Sequence, residues 1–249
     1  MSEAYWTIVK ANVTPAGEEF EEPLNGWWSY EHVPEFVARS GFRRAWRLRT
    51  MEHPSQIGDP GQKYLACYEV DTIEDFSRSL AMSQPPWGPW QEHIDDWLVD
   101  WSRTHYRVLQ SAYQDDAAGG YFAVLRATLI LESDEQQRDF DAWYSEKHLP
   151  EICSHEGIHR AWRLEKVDHH DVVDPAPHRY WTIYQVDAPE SFAEAREARA
   201  AAGIEAWDGI WLPYLEDWGI QYHEIMYHVN HDEAVQIVAE LEGVRDAAP

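Results

Sequence analysis

The chain repeats itself. Trp143-Tyr-Ser-Glu-Lys-His-Leu-Pro-Glu151 and Gly157-Ile-His-Arg-Ala-Trp-Arg-Leu164 have earlier counterparts in Trp27-Trp-Ser-Tyr-Glu-His-Val-Pro-Glu35 and Gly41-Phe-Arg-Arg-Ala-Trp-Arg-Leu48. Every matched residue is displaced by 116 positions: His32 onto His148, Pro34 onto Pro150, Gly41 onto Gly157, Trp46 onto Trp162. Tyr64, Tyr68 and Asp71 fall on Tyr180, Tyr184 and Asp187, and the register slips by one where Asp100-Trp101 meets Asp217-Trp218. Repetition at this period predicts two copies of one domain in tandem. The expected units are 1–113, a polar linker at 114–120, a second copy at 121–230, and a C-terminal helix and tail at 231–249.

With 44% hydrophobic residues and 14 tryptophans the chain can bury a large core and still line an apolar pocket. Its 20 basic and 45 acidic residues give a formal net charge of −25. Such a surface repels phosphate backbones and anionic lipid, so neither nucleic acid nor membrane is an expected partner. No stretch has the length of an apolar span and the start lacks signal-peptide character, so a cytoplasmic location is expected. Cys67 and Cys153 occupy non-equivalent places in the repeat, which argues against a disulfide framework.

Residues 4–13 read as a strand, ended by Thr14-Pro-Ala-Gly17. An irregular helix runs past Pro23 to about Arg39 and stops at Ser40-Gly41. Strands follow at 42–51 and 63–70, then a helix at 72–83 with Asp71 as N-cap, a break at Pro85-Pro-Trp-Gly-Pro89, a short helix to about Leu98, and a strand at 99–112. The second copy gives strand 121–131, helix 134–155 opened by the capping box Ser133 to Gln136, strands 158–167 and 179–186, helices 190–202 and 204–212, and strand 217–229. A further helix is expected over 231–241, before a frayed end from Gly243. The order βαββαβ, taken twice, is the ferredoxin-like split unit. Each four-stranded sheet has one face bare of helices, so the two sheets are expected to pack face to face as an α/β barrel within one chain.

Leu24, Trp28, His32 and Phe36 lie four apart, as do Phe140, Tyr144, His148 and Ile152. Both histidines therefore sit on an apolar helical stripe and should point inward. A structural role beside the prolines, satisfying freed backbone groups, competes with a catalytic one. Strand alternation groups Phe42, Arg44, Trp46 and Leu48, and likewise Ile158, Arg160, Trp162 and Leu164. Arg44 and Arg160 would meet either an internal carboxylate or a substrate anion.

The tryptophan-bearing helix, His-x-Pro-Glu, Gly-Phe/Ile-x-Arg-Ala-x-Arg and the strand Tyr64-Leu-Ala-Cys-Tyr-Glu-Val70 resemble the dimeric α/β-barrel superfamily, in particular its EthD-like branch. That resemblance implies a pocket in each repeat between sheet and helices, with His32 and His148 near it. The superfamily includes muconolactone isomerases, polyketide cyclases, cofactor-free monooxygenases and haem-dependent chlorite dismutases, so it constrains reaction weakly.

The expected activity is that of a cofactor-independent lyase, isomerase or cyclase acting on a small aromatic or polyketide-like molecule. His148 and His32 would be acid or base, aided by Tyr144 and His159; Trp28, Trp143, Trp46, Trp162, Arg44, Arg160 and Tyr184 would bind substrate. The second copy carries more titratable groups and is favoured as the working one. Haem on His148 or His32, oxygen chemistry, and a non-catalytic binding module are the alternatives. The chain is expected as a monomer with an intrachain barrel or as a homodimer. The loop Asp168-His-His-Asp171, with Asp174 and His178, has metal-ligand side chains but no recognised spacing, so no metal is assigned.

Overall fold

The computed structural model describes residues 4–83, 87–113, 119–174, 176–204, 207 and 209–247. The proline pair at 85–86, most of the expected linker and parts of the expected 204–212 helix lie outside these.

The first half runs β1 (Tyr5–Val13), α1 (Glu21–Trp27), a π-helical turn (Trp28–His32), α2 (Val33–Val37), β2 (Phe42–Met51), β3 (Tyr64–Val70), α3 (Ile73–Met82), α4 (Ile94–Trp97) and β4 (Leu98–Tyr113). The second half runs β5 (Tyr121–Leu129), α5 (Asp134–Trp143), a π-helical turn (Tyr144–His148), α6 (Leu149–Cys153), β6 (Ile158–Val167), β7 (Tyr180–Val186), α7 (Pro189–Ala201) and β8 (Leu215–Asn230), and α8 (His231–Ala247) ends the chain. Thr72, not Asp71, caps α3: its side chain accepts from the Asp75 amide, while Asp71 pairs with Arg43 at 2.7 Å. Ser133 caps α5 as expected, accepting from Gln136 N–H. The last helix passes through Gly243 to Ala247 rather than fraying there, and it is anchored at its start where His231 Nδ1 donates to Val37 O at 2.8 Å.

Among the described residues eight strands form one closed antiparallel barrel in the order β1-β3-β2-β8-β5-β7-β6-β4. The expected pair of facing sheets is corrected here: the sheets join edge to edge by hydrogen bonds, β2 to β8 and β4 to β6. The cause is strand length. β4 and β8 have 16 residues each, so their first parts pair with β1 and β5 and their later parts cross to the other half. Closure leaves no sheet edge to template aggregation.

Trp6, Trp46 and Trp162 meet inside the barrel, Trp6 stacking on Trp46 at 4.8 Å between centroids and lying 5.2 Å from Trp162. Outside it, each half has its own apolar cluster between sheet and helices. A β-bulge sets which residues face which way. Pairing shifts between Phe42 and Arg44, and again between Ile158 and Arg160. Phe42 and Ile158 are thereby turned to the helix side, away from the Trp46 and Trp162 faces with which simple alternation had grouped them. Cys67 and Cys153 are buried and unbridged. Among the described residues no helix is long and apolar enough to cross a membrane.

Candidate functional site: two aromatic cavities

A cavity lies on the helix side of each half. The first, about 320 Å³, is walled by Trp28, His32, Tyr68, Phe76, Trp87 and Arg103 among others. The second, about 150 Å³, is walled by His148, Ile152, Arg199, Trp207 and Trp218 with neighbouring side chains.

Each motif histidine ends a π-helical turn, and the proline two residues later explains the turn. Pro34 and Pro150 have no N–H, and their rings crowd the carbonyl four residues back. The helix widens to accommodate this: Val33 N–H bonds Trp28 O, and Leu149 N–H bonds Tyr144 O, each reaching back five residues. The histidine ring is then held between two indoles. His32 lies 4.8 Å from Trp27 and 6.4 Å from Trp87, whose plane is 11° from its own. His148 lies 4.8 Å from Trp143 and 6.4 Å from Trp207, at 9°.

The halves differ in charge around this shared geometry. Arg47 is fully buried, with its guanidinium 3.7 Å from the Trp28 ring and Nη2 donating to the neutral Asn25 Oδ1 at 2.6 Å. Its counterpart Arg163 lies 4.6 Å from the Tyr144 ring, but Nη2 meets the Asp141 carboxylate at 2.5 Å. Arg199, on the wall of the second cavity, is ion-paired with Glu151. In the first half Arg39 donates to Ser79 O and to Ser83 Oγ, at 2.5 and 2.8 Å. Burial pushes His32 down to about 3, helped by the positive charges of Arg47 and Arg39, so the ring is neutral at ordinary pH. Burial likewise pushes Tyr68 up to about 12.

Several expected site residues lie elsewhere. Trp46 and Trp162 belong to the barrel interior, on the far side of the sheet from both histidines. Arg44 pairs with Glu69 at 3.0 Å, the internal ion pair that competed with a substrate role, and Arg160 lies 5.5 Å from the Tyr113 ring. His159 sits on the bulge and donates from Nε2 to Asp187 Oδ1 at 2.7 Å, away from the cavity. Tyr144 contacts His148 edge-on at 4.8 Å, but its hydroxyl is committed to Thr182 Oγ1 at 2.7 Å. Tyr184 is fully buried against Phe192, and burial lifts its hydroxyl well above the usual range. Trp28 and Trp143 do lie beside their histidines.

Sequence reasoning passed over Arg47 and Arg163, although alternation from Ala45 or Ala161 turns both toward the helices. It also passed over Trp87 and Trp207, which the 116-residue offset does not superpose and which lie in irregular segments. Of the His-rich loop, His178 turns to Asp217 at 3.0 Å, while His169 and Asp171 reach His105 of the first half.

No protein-family model matches the chain, and no curated protein matches its sequence. Solved structures do match in fold. An anthrone oxidase-like protein is 11% identical, covering 94% of this chain and 95% of its own, with a TM-score of 0.61. A protein named as a monooxygenase from Fusobacterium nucleatum is 9% identical, covering 92% and 95%, with a TM-score of 0.62. A mutant chlorite dismutase from Candidatus Nitrospira defluvii is 10% identical, covering 94% of each chain, with a TM-score of 0.56. At such identities the likeness establishes the fold alone, an α/β barrel shared with these structures.

Proposed function

We propose that the chain is an enzyme acting without a bound cofactor on a small planar hydroxyaromatic molecule, with the His32 cavity as its working site. The observation that carries this reading is the contrast between Asn25 and Asp141. The buried guanidinium behind the first cavity faces a neutral amide, whereas that behind the second faces a carboxylate. The positive potential of Arg47 and Arg39, which adds to burial in depressing His32, offsets part of the burial cost of ionising a phenol or enol held beside it. Neutral His32 is then a hydrogen-bond acceptor for the substrate hydroxyl, Arg103 a cation on the wall, and the indoles a grip on the ring.

The first cavity also has the size. Small-molecule pockets start at roughly 300 Å³, which the His32 cavity reaches and the His148 cavity does not. This reverses the preference for the second half that its titratable residues suggested. The EthD-like resemblance and the repeat support reading the halves as diverged copies, the second kept for the barrel.

Oxygenation is the reaction best suited to an ionised electron-rich ring, and it is the chemistry named for the anthrone oxidase-like and monooxygenase neighbours. In such a reaction a ring CH2 becomes C=O, and the second atom of O2 leaves as water. The sizes of the two cavities, about 320 and 150 Å³, favour a small ring system over haem, a four-ring macrocycle with two propionates. Oxygen uptake with a panel of hydroxyanthrones and hydroquinones tests the reading. Uptake abolished by His32→Ala and kept in His148→Ala supports it. No uptake with any member, or equal loss in both variants, contradicts it.

A further inference from the structure

The loop between β6 and β7 crosses to the other half of the molecule. Val173 bridges Arg103 of β4, and the loop sets Asp171 and His169 against His105. Asp171 Oδ1 receives two imidazoles at once, His105 Nε2 at 2.7 Å and His169 Nδ1 at hydrogen-bond distance. The other carboxylate oxygen accepts from Ser77 Oγ at 2.6 Å. His105 Nδ1 lies 2.8 Å from the Thr7 hydroxyl, which can donate or accept and so supports either tautomer of the ring. One ligand atom from each of His105, His169 and Asp171 lies within 4.8 Å of the others.

The chain contains its own comparison. The offset of 116 places His53 on His169 and Ser55 on Asp171, and the later register places Tyr222 on His105. There the β2–β3 loop crosses in the opposite sense, Ile57 bridging Ile220. His53 Nδ1 meets Ser55 Oγ at 2.7 Å, and Ser55 Oγ meets the Tyr222 hydroxyl at 2.7 Å. Serine and tyrosine therefore suffice to tie the loop to the barrel. The other crossing makes the same tie with a carboxylate and two imidazoles, of which His105 is fully buried, and Arg103 also holds Asp171 through its carbonyl, so the three gathered donor atoms exceed what the tie needs.

We propose that His105 Nε2, His169 Nδ1 and Asp171 form a binding site for one divalent transition-metal ion such as Zn²⁺ or Co²⁺. Two imidazoles and one carboxylate are a donor set these ions take, leaving positions for water or a ligand. Thr7 and Ser77 are the outer partners that hold the imidazole and the carboxylate in place. A groove between Tyr5, Ile73 and His169 gives access from solvent, and a chain of net charge −25 draws cations to it. Entry of the ion replaces the two imidazole–carboxylate hydrogen bonds, so the loop carrying His169 and Asp171 shifts outward slightly. The site adjoins the aromatic cavity: the Phe76 ring lies between them, 6.0 Å from His105, and Arg103 on the cavity wall donates from Nε and Nη2 to Asp171 O at 2.8 and 2.5 Å.

Titration of the chelator-treated full chain with Co²⁺, followed by its visible ligand-field absorption, tests this. Saturation at one equivalent is expected. His169→Ala should weaken binding at least about tenfold. His169→Gln, which keeps a hydrogen bond to Asp171, should weaken it similarly while preserving the thermal unfolding curve, and His53→Ala should leave it unchanged. Absence of ligand-field bands in the wild type, or a titration that neither His169 variant alters, would overturn the proposal.

Discussion

The imidazole of His32 and the indole of Trp87 lie 6.4 Å apart with their planes 11° from parallel, both on the wall of one cavity. His148 and Trp207 repeat the arrangement to within 2°. Two surfaces so disposed favour a flat guest over a globular one. Replacing Trp87 by Ala should cost a planar aromatic ligand about 1 kcal/mol, roughly fivefold in Kd. Trp207→Ala should not change that Kd, because the second cavity is too small. Isothermal titration of both variants with a naphthol checks the pair.

Asn25 controls the charge behind the first cavity. Asn25→Asp gives Arg47 the carboxylate that Arg163 already has, so His32 should become more basic and phenolate binding weaker. An NMR pH titration of His32 in wild type and variant reads this directly. An unchanged histidine would mean that Arg47 does not set its potential.

Trp162 serves the barrel, not the ligand. Trp162→Ala opens a cavity among Trp6, Trp46 and Phe122 and should destabilise the fold by about 3–5 kcal/mol. Ligand affinity of the folded fraction should be unaltered. Urea unfolding and ligand titration on the same preparation separate the two effects.

Acid should unfold the chain partly through its buried histidines. His32 and His223 are each pushed down to about 3, chiefly by burial, from an ordinary value of 6.5. Between those limits the unfolded chain holds protons that the folded chain does not. Their contribution is complete above about pH 6.5 and is lost as pH falls toward 3. The slope contributed by fully buried His223 is about 1.4 kcal/mol per pH unit. His223→Phe should flatten the stability profile across that window by about this amount, as measured by denaturant unfolding at stepped pH.

The repeat was legible because its anchors are chemically irreplaceable. Gly41 and Gly157 hold φ of +90° and +76°, and a Cβ would strike Asp75 or Ser191, so both copies keep glycine. The element order followed from such anchors, and so did the two histidines facing inward. The strand faces did not, because one bulged residue at Arg43 or His159 reverses what lies before it, and alternation carries no mark of that. The edge-to-edge closure was hidden for a different reason: it depends on how far β4 and β8 run beyond their first partners. The His105 cluster joins residues more than sixty positions apart, from opposite halves, so only the crossing loop brings it together. Asn25 against Asp141 was within reach, since the offset aligns them, but neither falls in the repeated motif.

The most direct test of the working-site proposal is a spectrophotometric pH titration of a nitrophenol with and without saturating protein. Burial raises the pKa of a phenol held beside His32, as it does for Tyr68 on the same wall, and the Arg47 charge offsets part of that rise, so the bound pKa should be higher by about one unit in Asn25→Asp than in the wild type. A bound pKa that is equal in the two proteins would contradict the account.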